Sequence, residues 1–186
     1  MVDRRKKFTR MVLREALMDL LKEKTITAVT VKEICELADI NRSTFYSHYF
    51  DQYDLLSKIS EEVVADMYET LNEYSFKKNE EALQMTEKIM EYVAEKSDIC
   101  QILLSDNGDS TFKKRVIHLT KNFIMEKWID EHQLEGELSE YIPLLVVSGA
   151  IDAIESWLKN GMNESPQEMA TVIHHFTNYG LSGFSK

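Results

Sequence analysis

Residues 41–48 read NRSTFYSH, and six of these eight side chains carry a hydroxyl, guanidinium or imidazole group. The chemistry open to such a set is hydrogen bonding to nucleic acid. An Arg fork reads guanine edges, and Ser, Thr and Tyr hydroxyls and a helix N-terminus suit phosphate oxygens. The rest of the chain offers no catalytic constellation. The five His (48, 118, 132, 174, 175) form no HExxH and no Cys/His ligand spacing, there is no Gly-rich phosphate loop, and the adjacent His174 and His175 point different ways on a helix. Cys35 and Cys100 fall in helical patterns and read as buried thiols of a reducing compartment. No catalytic residue, metal or cofactor is expected, and an enzyme is set aside.

The elements that must position residues 41–48 are legible around them. Thr30 with Glu33 has capping-box spacing, and Val31, Ile34, Cys35 and Ala38 share one helical face. Asp39 and Ile40 make a turn, and Asn41 caps the next helix. Phe45 and Tyr49, four apart, face inward, while Arg42, Ser43, Thr44, Tyr46, Ser47 and His48 are left outside. Two short helices around a tight turn form a helix-turn-helix, whose second helix enters the major groove. An ordinary surface helix, polar outside and aromatic inside, shares this local pattern.

The 186 residues carry a net charge of −10, which on its face disfavours a nucleic-acid partner. The charge is divided, however. Residues 1–49 hold 10 Lys and Arg against 7 Asp and Glu, a net of +3, and residues 50–186 a net of −13. The basic charge therefore lies with the helix-turn-helix. Arg4, Arg5, Lys6 and Lys7 form a basic arm suited to phosphate or minor-groove contacts.

With 2 Pro and 6 Gly, the chain favours long helices. Periodicity predicts a first helix over 8–24, with Phe8 and Leu13 on its apolar stripe, and a connection at 25–29. A long helix over 51–74 would span about 35 Å. Further helices are expected over 80–96, 99–104, 110–131, 139–160 and 165–179, with a turn at 105–110 and a loop at 133–137. Gly161 and Gly180 are expected to stop the last two. The expectation is all-α, about nine helices, with a DNA-binding domain at 1–50 and a ligand-binding and dimerisation domain at 51–186. No run approaches the length of a membrane span and no signal peptide is evident, so a cytoplasmic location without membrane contact is expected.

The pattern A-x-I-x-x-S-T-F-Y-x-H-Y over Ala38–Tyr49, with D-L-L at 54–56, resembles the tetracycline-repressor (TetR) family of transcriptional regulators. Two positions depart from the family's pattern: Asp39 stands where Gly is usual, and Gln52 where a phosphate-binding Lys is usual. The resemblance implies that Thr44 and Tyr46 hold the DNA backbone, that Arg42, Ser43 and Ser47 face bases or nearby phosphates, and that His48 supports the helix or touches phosphate. Thr30, Asn41 and Gln52, at helix starts, complete the expected DNA-binding set. Residues 149–170 are similar to a subgroup that includes regulators like the dihydroxyacetone-kinase activator, which keeps open a coactivator or adaptor acting through protein partners.

Such a family member is expected to be a homodimer on a palindromic operator, a repressor released by a small-molecule effector. The apolar last two helices are the expected interface, through Leu144, Val147, Ser148, Ile151, Ile154, Met169, Val172, Ile173 and Phe176. For the effector pocket, Met67, Tyr68, Tyr92, Phe123 and Trp128 are candidate walls and His118 and Asn122 candidate polar anchors. Core packing is the alternative for every one of these apolar positions.

Overall fold

Helix starts follow the caps written in the sequence. A computed structural model describes residues 2–73, 79–108, 111–124 and 141–182, and among them the regular structure is all helical. The elements are α1 (Val2–Glu23), a 3₁₀ turn (Ile26–Ala28), α2 (Val31–Leu37), α3 (Arg42–Tyr46), α4 (Gln52–Glu73), α5 (Asn79–Glu95), α6 (Ser97–Leu104), α7 (Phe112–Ile124), α8 (Tyr141–Lys159) and α9 (Pro166–Ser182). The expected loop at 133–137 lies outside the described residues.

Contacts divide the chain into two compact units, 1–63 with 98–112, and 64–97 with 113–186. The first unit thus extends past residue 50, taking in the first half of α4 and α6 from Asp98 onward. Its buried side chains include Leu13, Leu17, Leu21, Ile34, Phe45, Leu55 and Leu103. α1 begins well before Phe8, so the basic residues Arg4–Lys7 are helical rather than an arm, and Phe8 is exposed.

The turn after α6 fastens α1. Asn107 donates from Nδ2 to the carbonyl of Leu21 (3.2 Å), one of the carbonyls left without a helical partner at the end of α1. Its own carbonyl accepts from the Ile26 amide at 3.0 Å. Gly108 closes this turn so tightly that a Cβ there would lie 2.2 Å from the Ile102 carbonyl oxygen.

Two helices end in the same motif. After α2, the Ile40 amide bonds back to the Cys35 carbonyl (2.9 Å) and Asp39 adopts φ 52°. After α8, the Met162 amide bonds to the Trp157 carbonyl (3.0 Å) around Gly161 at φ 83°. Both are Schellman ends, which need one left-handed residue. Glycine fills that place after α8, and an aspartate fills it between α2 and α3.

In the second unit, α9 packs chiefly along α5, and Gln167 donates to Glu91 at 3.0 Å. The Tyr92 hydroxyl donates to Asp66 of α4 at 2.8 Å. Lys113 of α7 bonds Asp152 (2.5 Å) and Glu155 (3.2 Å) of α8. α9 starts with a capping box: Ser165 takes the Glu168 amide at 3.2 Å, Glu168 takes the Ser165 amide at 2.8 Å, and Pro166 is the first helical residue. Contrary to the sequence expectation, α8 is long and apolar enough to cross a membrane, at mean hydropathy 1.3. Here it buries Ile142, Val147, Ile151, Trp157 and Leu158.

Two substitutions test these turns by chemical denaturation. Asp39→Gly relieves a left-handed non-glycine residue and is expected to stabilise the fold by about 0.5–1 kcal/mol. Gly108→Ala forces the backbone apart and is expected to destabilise it by about 1–3 kcal/mol.

Candidate DNA-binding face and ligand cavity

α3 has only five residues, too few to persist alone. Asn41 starts it, accepting the Ser43 amide at 2.9 Å, and Phe45 anchors it with no exposed surface. Tyr49 follows, buried, with its amide on the Phe45 carbonyl at 2.9 Å. The opposite side carries Asn41, Arg42, Ser43, Tyr46 and Ser47, all exposed, with Thr44 and His48 half-buried at its margin. The Ser43 hydroxyl bonds Asn41 Oδ1 at 3.0 Å, and the Ser47 hydroxyl bonds the Thr44 carbonyl at 2.7 Å. Those two hydroxyl protons are engaged within the helix. Arg42 is the one cation of α3, and Tyr46 stands 59% exposed.

Thr30 caps α2 in a full capping box, with its amide donating to Glu33 at 2.9 Å. Lys24 bonds the same carboxylate at 2.5 Å. The Lys24 ammonium, followed by the Thr30 hydroxyl and amide, lowers the Glu33 pKa to about 2. The depressed value means that the stability this box contributes is complete above the ordinary Glu range, declines as pH falls below it, and is gone once pH has fallen through about 2.

His48 joins α3 to the basic end of α1. Burial first, then the charges of Arg10 and Lys6, lower its pKa and favour the neutral ring. Arg10 is exposed and was missed by sequence reading, which stopped the basic segment at Lys7. Arg10 falls within the helix expected over 8–24, and spacing did not tell which face of that helix meets His48.

The start of α4 has the opposite character. The Asp54 amide donates to Asp51 Oδ1 (2.8 Å), and the Phe50 amide to Asp54 Oδ2 (3.0 Å). Two carboxylates therefore occupy the helix N-terminus, beside a half-buried Gln52 in place of Lys. Phe50, also missed by sequence reading, is 87% exposed there.

The second unit encloses a cavity of about 150 Å³. Met67 and Leu71 of α4, Met85, Ile89 and Met90 of α5, and Val116 of α7 form one part of its wall. Val147, Ile151 and Ile154 of α8 and Ile173 of α9 form another. Polar groups come from Thr86, Thr120, His174, Thr177 and Asn178. Asn178 Nδ2 and His174 Nε2 lie 2.8 Å apart, and burial, then His175, keeps the His174 pKa low and its ring neutral.

Of the expected pocket residues, Met67 lines this cavity. Tyr68 is exposed, Tyr92 is bonded to Asp66, and His118 and Asn122 are exposed and paired with each other at 3.1 Å. Trp128 and the side chain of Phe123 lie outside the described residues. The His and Asn four residues apart that face the cavity are His174 and Asn178 of α9. A period of 3.6 places such pairs equally well on either face, so only packing separates the two.

The expected interface set also divides. Val147 and Ile151 are buried and, with Ile154 and Ile173, line the cavity, while Met169 is buried. Ser148 is half-buried. Leu144, Val172 and Phe176 are exposed, as are Tyr141, Leu145 and Tyr179, which sequence reading omitted.

A helix-turn-helix in one unit and a largely apolar cavity in the other are the parts of a helical transcriptional regulator. Residues 80–179 match the family described as the TetR-type transcriptional regulator C-terminal region, and the chain belongs to the TetR family of transcriptional regulators, which are not enzymes. It is 36% identical over 89 residues to an uncharacterised HTH-type transcriptional regulator, YxbF, of Bacillus subtilis (strain 168), a match spanning 44% of this chain and 23% of that protein. Its fold is similar to that of a TetR transcriptional regulator from Streptococcus agalactiae 2603V, at TM-score 0.71, 19% identity and coverage of 94% and 96% of the two chains. It is also similar to the dihydroxyacetone kinase operon activator DhaS, at TM-score 0.63, 19% identity and coverage of 96% and 98%.

Arg10→Ala is expected to weaken binding about equally for specific and random duplex DNA, and to reduce the slope of log affinity against log salt by about 1. Fluorescence anisotropy over a salt series measures both.

Proposed function

We propose that the chain represses transcription as a homodimer on a palindromic DNA operator and is released by a small molecule held in the cavity of the second unit. The observation that carries the DNA half is the exposed set Arg42, Ser43, Tyr46 and Ser47 on a capped helix anchored by Phe45, beside the cations of α1. Arg42 reads a base edge and the Tyr46 hydroxyl donates to a phosphate. Lys6, Lys7 and Arg10 supply the ionic backbone contacts, since carboxylates fill the start of α4. A location in the cytoplasm, with the DNA, follows from this reading.

The dimer forms through the exposed apolar stripes of α8 and α9: Tyr141, Leu144 and Leu145 on one, and Val172, Phe176 and Tyr179 on the other. Large apolar groups exposed at helical spacing mark an interaction surface. Packed against their symmetry mates, two helices from each copy form a four-helix contact, and the two-fold pair reads half-sites about 34 Å apart.

Release follows from α4. The helix runs unbroken from Gln52, just after the recognition segment, to Met67 and Leu71 in the cavity wall. A ligand that favours one position of α4 over another shifts the population of the DNA-competent state, and only by its differential affinity for the two.

Selection of bound duplexes from a random pool tests the DNA reading, and a palindromic consensus is expected. Arg42→Ala is expected to relax specificity at one position of each half-site. Phe176→Asp is expected to yield a folded monomer by light scattering, with operator affinity at least tenfold weaker. A Phe176→Asp protein that remains dimeric contradicts the interface.

A further inference from the structure

The cavity wall restricts the chemistry of its occupant. Among the described residues no Lys, Arg, Asp or Glu lines it, and neither does any Phe, Tyr or Trp. Among the described residues an ionised ligand would find no counter-charge, and buried ions leave water only when paired. A flat cation finds no aromatic face among the same residues. What the wall offers is methionine and branched aliphatic side chains, which follow the contour of an aliphatic chain.

The polar groups are gathered mainly on α9, and together they offer both donors and acceptors. The Thr177 hydroxyl donates to the Ile173 carbonyl (2.8 Å), and the Thr86 hydroxyl on α5 donates to the Ala82 carbonyl (2.9 Å). Their protons are engaged, and their oxygen lone pairs remain for a guest. The Asn178–His174 pair, bonded to each other at 2.8 Å, keeps an amide oxygen and a further N–H. A ligand that donates one hydrogen bond and accepts another matches this set. Among the described residues a carboxylate would find donors but no cation.

Resting on the reading of the cavity as the effector site, we propose that its ligand is a small, uncharged aliphatic molecule ending in a hydroxyl group. The hydroxyl lies against Thr177, His174 and Asn178, and the chain lies among Met67, Met85 and Ile151. The size agrees, since an apolar cavity of about 150 Å³ takes up a benzene-sized guest.

Calorimetric titration of the full chain at pH 7 with 1-hexanol, hexanoate and hexylamine separates the possibilities. The alcohol is expected to bind at least tenfold more tightly than either ion. Thr177→Val and His174→Leu, each shown folded by circular dichroism, are expected to weaken the alcohol severalfold and leave the ions unchanged; should His174→Leu unfold, Thr177→Val alone carries the test. Hexanoate or hexylamine binding as tightly as the alcohol overturns the ligand class and leaves the cavity as the effector site. No binding by any of the three, or alcohol binding undiminished when Ala150→Phe fills the cavity, overturns the site itself.

Discussion

Burial of a single ring, Phe45, lets a five-residue helix exist and aim. A segment of that length has too few internal hydrogen bonds to offset the conformational entropy of ordering it. Asn41 satisfies one amide at its start, the Schellman turn at Asp39 sets the angle of entry, and Phe45 with Tyr49 commits the inner side to the core. Every exposed group between them, from Arg42 to Ser47, then points outward by default. The proposed DNA-binding face is thus the complement of the buried one.

Electrostatics divide the surroundings of that helix. α1, helical almost from the first residue, carries Lys6 and Arg10 close enough to His48 to disfavour its protonation. The start of α4 is turned over to Asp51 and Asp54, which complete the helix by accepting amide hydrogens and complement its dipole. Those carboxylates stabilise α4 and repel phosphate. Under the proposed function the backbone contact falls to the cations of α1, which act on His48, and Gln52 carries no charge to share it.

In the second unit the same side chains cannot both join two copies and enclose a ligand. α8 is apolar on most sides, and packing divides those sides. Val147, Ile151 and Ile154 turn to the cavity, and Tyr141, Leu144 and Leu145 turn to solvent. α9 divides likewise, with Ile173, His174, Thr177 and Asn178 inward and Val172, Phe176 and Tyr179 outward. Along α9 the two sets fall on different sides of the helix, so the proposed interface and the proposed effector site do not compete for it.

Local signals were the legible part. Caps at Thr30, Asn41 and Ser165, the stop at Gly161, the left-handed turn at Asp39 and the inward pair Phe45 and Tyr49 act over a few residues, and their spacing alone determines them. With the A-x-I-x-x-S-T-F-Y-x-H-Y pattern, they were enough for the fold class and the TetR family. What spacing leaves open is which face of an amphipathic or all-apolar helix meets which neighbour. Tertiary packing made His174 and Asn178, rather than His118 and Asn122, the polar side of the cavity. It withdrew Val147 and Ile151 from the surface, set Arg10 of α1 near His48, and tied Asn107 to the end of α1. Each of these is a contact between residues far apart in the chain, settled only when several helices compete for the same apolar surface.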